Sequence, residues 1–371
     1  MSDLLDVIRR KSYGTRHLVS TPGYTGGSAI SRFVALFASF GLTSLIFVVL
    51  GLVSAYRDAR WYFWFGLISL IFAGPLFISI TNLNLAAAPS ALFVLQRFFL
   101  LPQIVLAPFA AFGFLWLTNL IRRAVPAASR AAPVILAGAA ALLIMLMIGL
   151  RYGRIDQSHN FIERHFAEDL WQTIQPRSVL IARGDFAFAL TYFQKVEHVR
   201  PDTDVLLLPL LGTKWYIRQF RREHRDFIIP FDRYDAATNN LKQIVDANNN
   251  RPWCIAGTIG NEHHSLDQDY WPYQRGLLLV IERKGTNDSL QQMVDENEHL
   301  FASYHPPQPN SVRFDTFEND IITMYAWPAY RIGNDCVTVG LRDLAAQWYK
   351  RALAINPNFA KAREALARLE H

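Results

Sequence analysis

Residues Ala131–Leu150 read AAPVILAGAAALLIMLMIGL and contain no charged side chain. As a helix rising 1.5 Å per residue, this stretch covers roughly 30 Å, the thickness of a bilayer's hydrocarbon core. A backbone in lipid must satisfy its own polar groups, and a single chain segment does so only as a helix. The stretch therefore divides the chain. Before it lie further long apolar runs; after it no apolar run exceeds the length of a strand, so the chain does not re-enter the bilayer. The composition fits a chain that is half membrane and half globule: 51% hydrophobic residues, with a mean hydropathy of +0.11. The expected fold is a membrane α-helical part of about four spans, then a soluble α/β domain with a mostly parallel sheet and a C-terminal helical hairpin.

The spans are expected at 33–55, 61–80, 102–120 and 131–150, together a transmembrane domain over 33–150, with an interfacial segment at 1–32. The first two are joined only by the charged turn YRDAR and should form a hairpin; Gly74 and Pro75 are placed to kink the second. The run NLAAAPSALFVLQRFFLLP is interrupted by Pro89, Arg97 and Pro102, which suits a helix lying in the interface. Arg57, Arg60, Arg122, Arg123 and Arg130 fall in two short loops that share one face, and the positive-inside rule makes that face cytoplasmic. With four spans, residues 151–371 are then extracytoplasmic. The net charge of +6 points to lipid headgroups as partners and away from nucleic acid, because the basic residues after 150 are scattered among acidic ones.

In the soluble part, a helix over 159–175 is stopped by Pro176. SVLIA reads as a buried strand, RGD as a turn, FAFALTYFQKV as an apolar helix and VLLLPLL as another strand, which is a βαβ unit. A helix over 213–223, a strand FIIPF, a helix over 235–247 and the strands WCIAG and LLLVIE extend it over 151–335. Strands alternating with helices imply a parallel sheet covered on both faces, with any ligand at the carboxyl ends of the strands. Residues 340–371 form two helices around Pro357, with A-x3-Y-x2-A-L-x-I-N-P spacing like that of a tetratricopeptide repeat. One such unit cannot bury its own face and must dock elsewhere.

Chemistry is expected at the first strand end. Asp185 follows the strand ending at Ala182, and Arg183 and Arg200 can reach the same region. The plainer reading of Asp185 is the N-cap of the helix beginning at Phe186. Glu262, His263, His264, Asp267 and Asp269 gather in one loop without the helical H-x3-H spacing of a metal site, so no metal is assigned. Cys254 and Cys336 are too few for a disulfide framework, and their redox state stays open. Trp215, Tyr216, Trp271 and Tyr273 have the faces to stack on a carbohydrate, or simply to pack. No cofactor motif is present.

SVLIARGDFAFALTYFQKVEHVRPDTDVLLLPLLGTKWY is similar to the soluble part of GT-C-like membrane glycosyltransferases of the transmembrane protein O-mannosyltransferase type, whose bacterial members form an uncharacterised family. The matching positions are Gly184, Asp185, Tyr192, Arg200, Pro201, Asp202, Val205, Trp215 and Tyr216. LLDVIRRKSYG, QRFFLLP, PYQRGLLLVI and the terminal segment extend the likeness in the family's order. The resemblance implies a polyprenyl-phosphate sugar donor, a protein or glycan acceptor, and a substrate-binding role for Arg183, Asp185, Tyr192, Arg200, Asp202, Trp215 and Tyr216. It also implies that the acidic catalytic loop lies in a first half that this chain lacks. On that reading no residue here is assigned the catalytic acid or base, the chain is inactive alone, and a separate polypeptide supplies the rest. The alternative is a non-catalytic, membrane-anchored interaction protein.

Overall fold

The structure, a computed structural model, describes residues 26–81, 83–124, 131–235, 238, 240–257, 266, 269–284 and 290–370. Most of the interfacial segment at 1–32, Arg130, Glu262, His263, His264 and Asp267 lie outside the described residues. The chain divides after Asn160 into two compact units.

The membrane-type unit comprises α1 (Ala29–Phe40), α2 (Leu42–Asp58), α3 (Arg60–Thr81), α4 (Ala91–Gln96), α5 (Leu100–Ala124) and α6 (Ala132–Ile155). Among the described residues three helices are long and apolar enough to cross a membrane: α3, α5 and the Ala137–Ile155 part of α6. The span expected at 33–55 falls on a bent pair, α1 and α2, whose axes differ by 91° and which makes a fourth span if the two cross as one. The break falls at Gly41, whose φ of 70° is one that residues with a Cβ rarely adopt. At 1.5 Å per residue α1 alone reaches only about 18 Å, too short to span. Arg32 of α1 is buried, and its guanidinium donates to the carbonyls of Gly27 (2.8 Å) and Leu83 (3.0 Å). The expected kink in α3 takes the form of a π-helical turn over Phe72–Leu76, which contains Gly74 and Pro75. Proline has no N–H to give, and the widened turn absorbs the missing bond. Helices α2 and α5 meet backbone to backbone. A Cβ on Gly51 would lie 1.6 Å from the carbonyl oxygen of Phe109, and one on Gly113 would lie 1.9 Å from that of Phe47. Small residues at such crossings let apolar helices approach closely where no hydrophobic effect drives them together.

The second unit is a three-layer α/β/α fold. In order, its elements are α7 (Ile162–Thr173), β1 (Val179–Ala182), α8 (Phe186–Lys195), β2 (Asp204–Leu207), a 3-10 turn (Leu208–Gly212), α9 (Lys214–Glu223), α10 (Asn240–Ala247), β3 (Trp253–Ala256), β4 (Tyr270–Arg275), β5 (Leu278–Arg283), α11 (Leu290–Ser303), α12 (Glu318–Thr338), α13 (Arg342–Ile355) and α14 (Ala360–Glu370). The strand order is β2-β1-β3-β5-β4. The sheet is mixed, which corrects the expectation of a mostly parallel one: β2, β1 and β3 run parallel, whereas β5 and β4 are antiparallel to their neighbours. The cause is the short connection Gly276-Leu277, since strands joined by two residues can only form an antiparallel hairpin. Gly276, at φ 54°, takes the first turn position, where such hairpins need a positive φ. The buried amide of Asn297 fixes this turn by accepting from Gly276 N (2.7 Å) and donating to Gln274 O (2.8 Å).

The strand expected at FIIPF is absent. The backbone of Ile228 bonds instead to the side chain of Asn248, its N–H donating to Oδ1 (2.9 Å) and its carbonyl accepting from Nδ2 (2.7 Å). Pro230 contributes no donor to a ladder. Alternate strand residues feed the two cores. Leu180, Ala182, Cys254, Leu278 and Val280 pack under α7, α8, α11 and α12, while Val179, Ile181, Trp253, Ile255 and Ile281 pack under α9 and α10. The first core also contains Ala345, Trp348, Tyr349, Ala352, Phe359 and Ala362, so α13 and α14 bury their apolar stripe in the same core as the sheet. Cys254 and Cys336 are buried free thiols.

Candidate functional site at the switch point of the sheet

Strand β1 has parallel partners on both sides. The chain leaves it toward β2 on one flank and returns as β3 on the other, so strand order reverses between β1 and β3. In open α/β sheets the crevice outside the carboxyl ends at such a point is where ligands bind. The Arg183–Asp185 loop and the turn at Gly257 lie there. Arg183 N donates to Ala256 O at 3.3 Å. The glycines turn the backbone at φ 123° (Gly184) and φ 95° (Gly257), and a Cβ on Gly257 would lie 2.5 Å from Arg183 O. Any side chain there would push the loops apart.

Asp185 stands at the N-cap position of α8, but its exposed carboxylate makes no capping bond. Asp320, in the first turn of α12, shares the neighbourhood. Its carboxyl is held above the usual carboxylate range by crowding from surrounding protein and then by the charge of Asp185, although the side chain keeps contact with solvent. The far flank is marked by α9. Tyr216 Oη accepts from Leu207 N (3.0 Å) at the carboxyl end of β2, and burial pushes its phenol up to about 12. The half-buried Trp215 ring lies edge-on to Tyr216, with centroids 5.9 Å apart. Arg183, Asp185, Trp215 and Tyr216 therefore gather at one end of the sheet.

Arg200 and Asp202 sit at the other end, before the first residue of β2. Arg200 adopts φ 51°, and its guanidinium donates to the carbonyls of Trp171 (3.2 Å), Ile174 (2.6 Å) and Gln175 (2.8 Å). These carbonyls lie at the C-terminus of α7, where the helix dipole favours a cation. Asp202 receives Arg200 Nε (2.9 Å) and Arg177 N (2.7 Å). The Arg200 hydrogen bond, more than any other contact, brings its carboxyl down to about 2. Both side chains thus tie α7 to the entry of β2. Tyr192, half exposed, lies on the last turn of α8, which runs away from the switch point.

Two features escaped sequence reasoning. Asp169, 1% exposed, accepts from His305 N and Tyr325 Oη, contacts across more than a hundred residues that no local pattern signals. A cavity also lies beside Gly257, between α12 and strands β3, β5 and β4, lined by Gln274, Leu277, Trp327 and Arg331 among others. The stripe 324, 327, 328, 331 along α12 has helical period and could have been read from the sequence. Among the described residues no group of three or more His, Cys, Asp or Glu is placed to hold a metal ion. From the acidic and histidine-bearing loop, Asp269 is described, and it accepts from Lys242 Nζ at 2.8 Å.

Comparison with known proteins points in one direction. Residues 163–303 match the family described as TMEM260-associated domain 2, a span running from the start of α7 to the end of α11. Two curated relatives are similar over longer stretches: "Protein O-mannosyl-transferase tmem260" of Dictyostelium discoideum, 26% identical over 327 residues, and "Protein O-mannosyl-transferase TMEM260" of Mus musculus, 25% identical over 204 residues. The first match covers 80% of this chain and 40% of the relative; the second covers 52% and 29%. The chain thus spans well under half the length of either. No solved structure matches. The Dictyostelium match covers more of the chain than either compact unit holds, so apolar helices and α/β unit together are similar, at low identity, to protein O-mannosyl-transferases.

Proposed function

We propose that this chain is the C-terminal part of a GT-C-like membrane protein O-mannosyltransferase that uses a polyprenyl-phosphate sugar donor. The observation that carries this reading is the continuity of the Dictyostelium match across both units. In this reading the α/β unit is extracytoplasmic and holds the protein acceptor at the switch-point crevice. Asp185 and Arg183 offer hydrogen bonds there, and Trp215 offers a stacking face. Arg200 and Asp202 act at a distance by fixing the entry of β2.

Transfer from a lipid-phosphate donor needs a base to take the acceptor hydroxyl proton. The segments 1–32 and 81–101, expected on the same side as the α/β unit, carry only Asp3 and Asp6 as carboxylates. The reading therefore assigns the base to a membrane segment outside this sequence, supplied by another stretch of polypeptide.

The test uses membranes bearing the full chain, polyprenyl-phosphate mannose and a Ser/Thr-rich acceptor peptide. The chain alone should bind peptide without transferring mannose, and transfer should appear when the multi-span segment of a relative is co-expressed. Turnover by the chain alone, abolished by one carboxylate substitution within it, would overturn the assignment. Failure to bind any acceptor would favour the interaction-protein alternative.

A further inference from the structure

The cavity beside Gly257 has a volume of about 30 Å³ and is half open. Since one water needs about 10–15 Å³ of such space, it holds two or three waters or one small polar head group. Its walls are mainly apolar: Ile255, Leu277, Leu279, Met324, Trp327 and Pro328. A cavity of this kind normally stays dry and empty.

This one has a guanidinium in its wall. Arg331 makes no hydrogen bond or ion pair with any described residue, although Asp335 stands one turn further along α12 and attracts it at longer range. Burial draws its pKa below the ordinary arginine value, and the attraction of Asp335 offsets only part of that effect. The other polar side chains of the wall are engaged. Gln274 Nε2 donates to Gly276 O and Leu278 O, and Thr323 Oγ1 donates to Asn319 O while accepting from Asn356. A second cation stands alongside, since Lys361 Nζ lies 4.7 Å from the centroid of the Trp327 ring that lines the cavity.

We propose that this cavity binds a phosphate monoester, its phosphoryl oxygens forked on Arg331 with Lys361 at the rim. A planar guanidinium matches two oxygens of a tetrahedral oxyanion, and two cations match the charge of about −1.5 to −2 that a phosphomonoester carries near pH 7. The cavity is small, so the phosphoryl group occupies it while the organic part projects through the open mouth along Trp327 and Met324. The same chemistry is offered by a small soluble phosphate and by a phosphatidic acid headgroup. The site stands on this geometry whatever the transferase reading becomes.

The test titrates the full chain in detergent with glycerol 3-phosphate, followed by tryptophan fluorescence and calorimetry, with acetate as the comparison anion. Saturable binding is expected, lowered at least tenfold by Arg331→Gln, severalfold by Lys361→Gln and not at all by Arg222→Gln on the exposed face of α9. If Arg331→Gln does not fold, Arg331→Lys serves instead. It keeps the charge and the stem but loses the fork, and should weaken phosphate binding while leaving the melting temperature near that of the parent. Vesicles with and without phosphatidic acid identify the source: Arg331-dependent binding that is tighter to the lipid than to glycerol 3-phosphate assigns the headgroup, and the reverse assigns a soluble phosphate. Affinity unchanged by both Arg331 variants, or acetate binding as tightly as phosphate, would overturn the proposal.

Discussion

The buried carboxylate of Asp169 holds His305 by two bonds, accepting from its backbone N at 2.7 Å and meeting its Nδ1 at 3.0 Å. Tyr325 Oη donates to the same carboxylate at 2.6 Å, and Thr173 Oγ1 returns to the Asp169 carbonyl at 2.8 Å while touching Tyr304 Oη at 2.6 Å. One side chain of α7 thus joins the loop after α11 to α12. Asp169→Ala leaves the Tyr325 hydroxyl and the His305 N–H without this acceptor, and is expected to cost about 3–4 kcal/mol. His305→Ala should cost under about 1 kcal/mol, because the backbone bond survives and the ring is largely exposed. Thermal melts of the full chain in detergent check both values, and equal losses would remove Asp169 from its central place.

Helices α2 and α5 make the second prediction. Gly51→Val places atoms inside the Phe109 carbonyl, so the helices must separate and the folded yield in membranes should fall severalfold. Gly138→Val and Gly149→Val on α6 meet nothing within 4 Å and should leave the yield unchanged. Size-exclusion profiles of the detergent-extracted variants separate the two outcomes.

The acid side of the stability curve follows from β2. Burial works to raise the carboxyl of Asp204, but hydrogen bonds from His224 Nδ1 (2.6 Å) and Arg251 outweigh it, and the pKa lies below the usual range. Asp202 sits at about 2, chiefly through Arg200. A carboxyl depressed on folding contributes stability above its unfolded pKa of about 3.9, and that contribution disappears as pH falls through the folded value. Melting temperature should therefore drop between about pH 4 and pH 2. Asp204→Asn should lower it at pH 7 and flatten this decline, which a pH series of fluorescence melts would show.

How far the chain could be read in advance depended on whether a signal was local. The βαβ start was legible because SVLIA, FAFALTYFQKV and VLLLPLL each carry their own period. The β4–β5 hairpin was not. Pro272 interrupts the apolar alternation of β4, and the glycine that turns the hairpin sits against LLLVIE as if it belonged to the next strand. FIIPF looked like a strand because its composition is right, but pairing is decided by which backbone or side chain offers hydrogen bonds, and Asn248 does so from twenty residues away. The candidate site shows the same divide. Arg183 and Asp185 were placed by following one strand to its end, whereas the bonds of Arg200 to α7 carbonyls depend on a left-handed backbone turn that no residue type announces.

Arg200 gives a prediction of its own. Arg200→Lys keeps the charge but cannot reach the carbonyls of Trp171, Ile174 and Gln175 and both oxygens of Asp202 at once. The loss of these bonds should cost about 2–3 kcal/mol. If the residue acts by fixing β2, acceptor binding of the folded fraction should stay within twofold of the parent. Acceptor affinity lost at unchanged melting temperature would instead make Arg200 a contact residue.

Asp185 and Asp320 allow the sharpest test of the switch point. Because Asp185 makes no capping bond, Asp185→Ala should not cost the roughly 1 kcal/mol that losing an N-cap usually does, and Asp185→Asn and Asp185→Ala should melt within a degree or two of the parent. Asp320 is destabilised as an anion by crowding and by Asp185. A carboxyl raised on folding costs stability as pH rises from its unfolded pKa through the folded one, so Asp320→Asn should be neutral or slightly stabilising at pH 7 and indistinguishable from the parent below about pH 3.5. Asp185→Asn should remove part of the same penalty and therefore raise stability slightly at pH 7. The two substitutions should also be less than additive, since each relieves one repulsion that both carboxylates share. Melting temperatures of the two single variants and the double variant at pH 3.5 and pH 7 form the required cycle. Strict additivity at pH 7, or loss of stability in Asp185→Asn, would show that the carboxylates do not interact and that the crevice is not the shared acidic site described above.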